Sequence, residues 1–199
     1  MKKWIPVFIV LAFILVIGAW MASVNNKLVP MEENVAAQWA NVESSYQRRA
    51  DLIPNIVNTA KGYAEFEQET LTQVIEARSK ATAVTIDPTN ITPQQLEQFQ
   101  QVQTGLSSAL SRLLAVFERY PDLKANENFK ELINELERTE NRINVERNRY
   151  NETARELNTA IRKVPTNLVA GMLGFTSKAY YEAEAGSENA PKVEFDFSK

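Results

Sequence analysis

The two residue types that most often carry enzymatic chemistry are both missing from this chain: it contains no cysteine and no histidine. That excludes a thiolate nucleophile, a Ser-His-Asp triad and the ordinary zinc sites, all of which need one or the other. It also excludes the usual di-iron bundle centre, whose Glu-x-x-His pairs supply imidazole ligands. What remains is chemistry by paired carboxylates, by lysine, or by a Ser-Lys dyad, and no Ser-x-x-Lys occurs. The glutamates are interleaved with Lys and Arg as on solvated helix faces, with no Gly-rich loop or convergent acidic motif beside them, so a carboxylate-dependent hydrolase is a poor fit. The expectation is a protein that is not an enzyme, with no catalytic residue, no metal and no cofactor.

One stretch nevertheless groups charge with backbone irregularity: RRADLIPNIVNTAKGYAEFE, residues 48–67. Pro54 lacks an N–H, and its ring collides with the carbonyl of Ala50 in a straight helix, so a kink or a break is expected there. No loop formers surround it and the apolar stripe keeps its phase across it, which favours a kinked continuous helix over a hairpin. Gly62, followed by Tyr63 and Ala64, puts a small residue on the helix, where a neighbour can approach closely. Arg48 and Arg49 precede Pro54 by about a turn, Lys61 follows it, and Asp51, Glu65 and Glu67 are candidate partners. Two readings stand side by side. The charges form a solvated, salt-bridged face, as exposed pairs commonly do. Alternatively, Arg48, Arg49, Asp51, Pro54, Asn55, Lys61, Gly62, Tyr63 and Glu67 form an interaction surface organised around carbonyls that the proline frees.

The elements that position these residues are helical. The composition, 44% hydrophobic and 24% charged with only 6 glycines, is that of a globular chain with long helices. Val35, Trp39, Val42, Tyr46, Ile53, Ile56, Val57, Ala60, Tyr63, Leu71, Val74 and Ile75 recur at threes and fours, predicting one rod from about Leu28 to about Ala83. VTIDPTNITP then breaks the pattern. Thr92 is a candidate N-cap with Pro93 at the first helical position, opening a second helix through Leu96, Phe99, Val102, Leu106, Leu110, Leu113 and Phe117. After RYPDLKANEN, a third helix is predicted from about Glu127 to Val164. Such stripes can be buried only against one another, so the fold class is all-α: an antiparallel bundle of three long helices plus a short C-terminal helix in TNLVAGMLGF. In the closing segment, Val193, Phe195 and Phe197 alternate as in an extended strand, the other reading being a disordered terminus.

Ahead of the bundle, residues 5–24 are twenty consecutive positions without a charge behind Lys2 and Lys3, enough to cross a hydrocarbon core of about 30 Å. The run is too long for a signal peptide, and Trp20 occupies the position that must be small for cleavage after Ala22. An uncleaved transmembrane helix is therefore expected, with the lipid bilayer as partner and Trp4 and Trp20 at its two interfaces. Lys2 and Lys3 place the amino terminus in the cytoplasm and the bundle outside. Gly18 and Ala22, four apart, form a small-xxx-small pattern able to pack membrane helices. The domain organisation is thus a membrane anchor at 1–27, a bundle domain at 28–176 and an extended tail at 177–199. A net charge of −3 with dispersed Lys and Arg gives no basis for nucleic-acid binding.

Several of these segments, taken together, resemble the LemA family of bacterial membrane proteins. The resemblance rests on Trp39, RRADLIPN at 48–55, KGYAEFE at 61–67, YPDLKANENFKEL at 120–132, RNRYNETARELNTAIRKVP with NLVAGMLGF, and the closing PKVEFDF. Phe66 departs from the family pattern, which often has His there, and this removes the one imidazole that chemistry could have used. The resemblance implies a single-pass protein of the bacterial cytoplasmic (inner) membrane with a helical-bundle domain, relatives implicated in membrane organisation, and no established catalytic residue or cofactor. The function expected is that of a self-associating scaffold or interaction protein of the cell envelope, a homo-oligomer with an envelope protein as possible partner. The alternative is an extracytoplasmic ligand-binding or sensory bundle. Only about four residues precede the membrane helix, so such a bundle would have to signal through a partner.

Overall fold

The computed structural model describes residues 4–62 and 67–182, the side chain of Pro6 excepted. Among the described residues six helices form: α1 (Ile5–Lys61), α2 (Gln68–Ala83), α3 (Pro93–Phe117), α4 (Pro121–Ala125), α5 (Glu127–Arg162) and α6 (Asn167–Ala170). Among the described residues there is no strand. The bonds between helices set their directions. Arg78 reaches back to Ala50, Gln103 to Ala81, and Arg48 to Glu135, so α1, α2, α3 and α5 run up, down, up and down in an antiparallel bundle.

The local signals explain most of the boundaries. Thr92 accepts from the Gln95 N–H while the Gln95 side chain accepts from the Thr92 N–H, a complete capping box ahead of Pro93. Asn126 accepts from the Phe129 N–H and starts α5. That helix ends at Arg162, just before Val164, whose helical conformation the following Pro165 disfavours.

The predicted first rod is two helices. It does not break at Pro54, which lies inside α1; it ends at Lys61, capped by Gly62, and resumes at Gln68. The break was hidden because Ala60 and Leu71, both buried, stand eleven residues apart, about three helical turns. The stripe therefore keeps its phase across an interruption. At the other end, α1 extends through the apolar segment without a break, so that one helix of 57 residues joins the apolar span to the bundle, roughly 85 Å in length. It is the one described helix long and apolar enough to cross a membrane. Its large apolar side chains from Trp4 to Ile17 are exposed, and burial begins at Val24, with Trp20 and Met21 half-buried against the same cluster.

The core has two parts. A lower cluster gathers Val24, Leu28, Val35, Trp39, Val42 and Tyr46 with Phe99, Tyr150, Leu157, Val169 and Tyr181. Trp39, 1% exposed, is its centre: Phe99 and Tyr150 meet it edge-on at 5.4 and 5.5 Å, and Tyr181 stacks on it at 6.0 Å. Each such contact is worth about 0.5–1.5 kcal/mol beyond its buried area. An upper cluster gathers Ile53, Ile56, Leu71, Val74, Leu106, Leu113, Leu123 and Phe129. Of the segment expected as a tail, residues 178–182 dock along α5. The Asn158 carboxamide exchanges two hydrogen bonds of 2.8 Å with the backbone of Lys178, and Asn151, seven residues earlier, does the same with Tyr181 at 2.9 and 2.8 Å. The Val193, Phe195 and Phe197 alternation lies outside the described residues.

Passage through Pro54 has a definite cause. The missing N–H leaves the Ala50 carbonyl without its helical donor, and Arg78 Nε of α2 donates to that oxygen at 2.7 Å. Arg78 Nη2 also stands 3.9 Å from Asp51 Oδ1. Restoring the N–H with Pro54→Ala should hold stability level or raise it by up to about 3 kcal/mol. Arg78→Ala should cost about 1–3 kcal/mol while the proline is present, through the orphaned carbonyl, and measurably less in the Pro54→Ala background. Denaturant unfolding of the four proteins gives the coupling, and strict additivity would show that Arg78 does not substitute for the missing donor.

Candidate functional site

The two adjacent arginines part company because successive helical residues are about 100° apart. Arg48 points outward and pairs with Glu135 of α5, Nη2 to Oε1 at 2.6 Å, with its own side chain largely exposed. That hydrogen bond, against a smaller opposing effect of desolvation, holds the Glu135 carboxyl below its usual range. Arg49 turns inward and is 1% exposed. Its Nη1 donates to Ser107 Oγ and Glu140 Oε2, both at 2.8 Å, and its Nη2 donates to Gln103 Oε1 at 2.7 Å. The guanidinium also lies 5.0 Å from the centroid of the Tyr46 ring. Gln103 in turn donates from Nε2 to the Ala81 carbonyl at 3.2 Å. Side chains of α1, α3 and α5 thus converge on one cation, which Gln103 links to the last turn of α2, in a layer between the lower and upper apolar clusters.

This centre is built to hold helices together. A guanidinium offers only donors, no base stands beside Ser107 among the described residues, and Glu140 is engaged by Arg49. The cleft at the layer measures ≈ 30 Å³ between Tyr46, Gln103, Ser107 and Glu140, room for about a single water molecule. Arg49 Nε has no acceptor among the described residues and is the one buried donor of the centre left open. On the outer side of α2 and α3 a solvent-open recess of ≈ 390 Å³ lies among Gln73, Glu76, Lys80, Gln101, Gly105 and Arg112. No group of three or more acidic side chains among the described residues is arranged to hold a metal ion.

The other residues expected at an interaction surface are dispersed. Asp51 accepts from Gln47 at 2.8 Å and faces Arg78 of α2, on a different side from Arg48. Pro54 and Asn55 are exposed, as are Lys61 and Gly62 at the end of α1. Glu67, ahead of α2, takes a hydrogen bond of 2.7 Å from Arg119. Tyr63, Ala64, Glu65 and Phe66 lie outside the described residues. Gly18 and Ala22 are exposed, and the space beside Gly18 is open.

Sequence reasoning missed Gln103, Ser107, Glu140 and Arg78. It placed Val102 on the α3 stripe, where the buried residue is Gln103, which keeps threes and fours between Phe99 and Leu106. A second buried cation also went unseen. Lys178, 3% exposed, donates from Nζ to Glu32 Oε1 at 2.7 Å and to the Thr89 carbonyl.

Arg48 and Arg49 should therefore respond differently to substitution. Arg48→Glu should shift stability by less than about 1 kcal/mol, as exposed pairs do. Arg49→Ala strips donors from Gln103, Ser107 and Glu140 at once and should cost roughly 3 kcal/mol or more. Arg49→Lys should recover only part, since an ammonium cannot span the fork. Equal effects at the two positions in chemical denaturation would refute this division.

Comparison with known proteins agrees with these features. The LemA family model matches residues 38–195. Protein LemA of Metamycoplasma hominis is 28% identical over 190 residues, covering 92% of this chain and 83% of that protein. Magnetosome protein MamQ 2 of Paramagnetospirillum magneticum is 27% identical over 180 residues, 82% of this chain and 66% of its own. Magnetosome protein MamQ of Magnetospirillum gryphiswaldense is 27% identical over 179 residues, with 81% and 66% covered. This chain spans slightly less than two-thirds of the length of those magnetosome relatives. The family match takes in the Arg49 layer, the Trp39 cluster and the docked C-terminal strap, and the chain belongs to the LemA family.

Proposed function

We propose that the protein is a membrane-anchored, self-associating scaffold of the cell envelope, with a bundle that presents surface to partners and performs no catalysis. The observation that carries this reading is the continuity of α1 from Ile5 to Lys61. A helix with no interruption between the apolar span and the bundle transmits position and orientation, which suits a scaffold. The buried polar centres support the same reading: Arg49 and Lys178 are engaged by the chain's own acceptors. Gly18 and Ala22 leave an open small-residue face on the span on which a second copy can pack. The relatives named as magnetosome proteins favour a role tied to an envelope structure.

The protein extracted in mild detergent should run as a discrete assembly larger than a monomer, and Gly18→Ile should reduce its size. A monodisperse monomer by light scattering would overturn the self-association. If Lys2 and Lys3 hold the amino terminus inside, a reporter fused after Lys199 should be active only in its extracytoplasmic form. Activity of a cytoplasm-specific reporter would reverse the orientation.

A further inference from the structure

The end of the bundle nearest the apolar span carries an apolar surface that the described residues leave exposed. The Gln38–Glu146 hydrogen bond and the Trp39–Tyr150 ring contact fix the antiparallel register of α1 and α5. Followed to its end, that register brings Arg162, the last residue of α5, level with the turn of α1 between Ala22 and Lys27. The chain then runs from Val164 to Ser177 without a charged residue. Within this run α6 and the turn after it close in a Schellman motif. The Phe175 N–H donates to the Ala170 carbonyl at 3.0 Å and the Gly174 N–H to the Gly171 carbonyl at 3.2 Å, with Gly174 at φ 88°. The motif turns Val169, Ala170 and Phe175 into the lower core cluster. Val164, Leu168 and Met172 are left outward, 80%, 67% and 77% exposed.

Depth is set by α1. If residues 5–24 fill a hydrocarbon core of about 30 Å, the last turn of the span lies at the far interface. That turn is already packed: Val24 belongs to the cluster that holds Val169 and Ala170, and Trp20 and Met21 rest against it. A segment bound to the last turn of the span cannot stand clear of the interface that turn occupies. The exposed cations nearby, Lys27, Arg162 and Lys163, are placed as a collar above the apolar residues, the arrangement of an interfacial anchor facing anionic lipid.

We propose that α6 and its flanks make a second, interfacial contact with the bilayer, distinct from the span. Val164, Leu168 and Met172 enter the headgroup–acyl boundary of the leaflet on the bundle side, while Lys27, Arg162 and Lys163 meet anionic headgroups. This rests on the membrane reading of the apolar span, and the experiment separates the two. Because the chain has no cysteine, a nitroxide can be placed at one position at a time in the full-length protein. The proteins Ile14→Cys, Leu168→Cys, Met172→Cys and Lys130→Cys are labelled and reconstituted in vesicles of phosphatidylcholine and phosphatidylglycerol. Collision with oxygen, which partitions into lipid, is compared with collision with a water-soluble nickel chelate. Labels at 168 and 172 should favour oxygen, as the label at 14 does, and the label at 130 should favour the chelate. A lipid-like label at 14 with chelate-accessible labels at 168 and 172 overturns the interfacial contact alone. Labels at 168 and 172 shielded from both agents overturn it in favour of a protein partner or a second copy. A chelate-accessible label at 14 overturns the span and, with it, the contact. Arg162→Glu with Lys163→Glu should raise chelate access at 168 in these vesicles and not in purely zwitterionic ones, and no difference between the two overturns the role of the collar.

Discussion

A buried cation in the middle of the bundle is the constraint on which the arrangement of the helices depends. Arg49 stands between two apolar clusters and binds Gln103 and Ser107 of α3 and Glu140 of α5, while Gln103 carries the connection on to α2. Desolvating a guanidinium is costly, and an ion pair in such a place often adds little net stability over an apolar core of the same shape. Its physical contribution is to register. Apolar stripes on antiparallel helices bury comparable area after a slip of one turn, about 5.4 Å. After such a slip Arg49 would be left buried without its acceptors, at a cost that hydrophobic burial cannot offset. A partly satisfied polar layer thus selects one packing among several that the stripes alone would allow.

With the register fixed, two other polar arrangements become intelligible. Arg78 can replace the hydrogen bond that Pro54 withholds only if α2 lies against α1 at the right height, and the Gln103–Ala81 bond holds the C-terminal end of that helix in place. At the lower end, Asn151 and Asn158, two turns apart on α5, present paired donors and acceptors to the backbone of residues 178 and 181. This segment then carries Tyr181 onto Trp39, and the Arg147 guanidinium lies 4.8 Å from the centroid of the Tyr181 ring. Lys178 ties the same strap to Glu32 of α1. Burial pushes the hydroxyls of Tyr150 and Tyr181 above the ordinary tyrosine range.

The parts of this arrangement that were legible in the sequence are those with local causes. Thr92 with Pro93 and the turn formers around Asn126 mark helix ends through bonds made within a few residues. The parts that were not legible have causes distant in the chain. Nothing near Pro54 announces Arg78, and nothing near Asn158 announces Lys178. Arg49 is an intermediate case. It falls between Tyr46 and Ile53 at the spacing of the apolar stripe, so its inward position was readable from the gap it fills, but its neighbour Arg48 made the pair look like one solvated patch. The candidate surface drawn from 48 to 67 grouped residues by chain proximity, whereas the helix distributes them toward α5, toward α2, into the core and out to solvent.

Continuity of α1 has a mechanical consequence that loops would not allow. From Val24, where packing begins, to Lys61, where the helix ends, is roughly 55 Å of rod at 1.5 Å per residue. A helix of that length standing alone would bend, but α5, with 36 residues, lies along it and the Arg49 layer pins the pair at mid-height. The distal end, built from the start of α2, the end of α3 and α4, is therefore carried at a set distance and rotation from the lower cluster. The span itself, from Ile5 to about Gly18, is exposed and has no packed neighbour among the described residues. Packing that span against a second copy would then orient two bundles together, because α1 stays helical from the span into the bundle, through Pro30 as through Pro54.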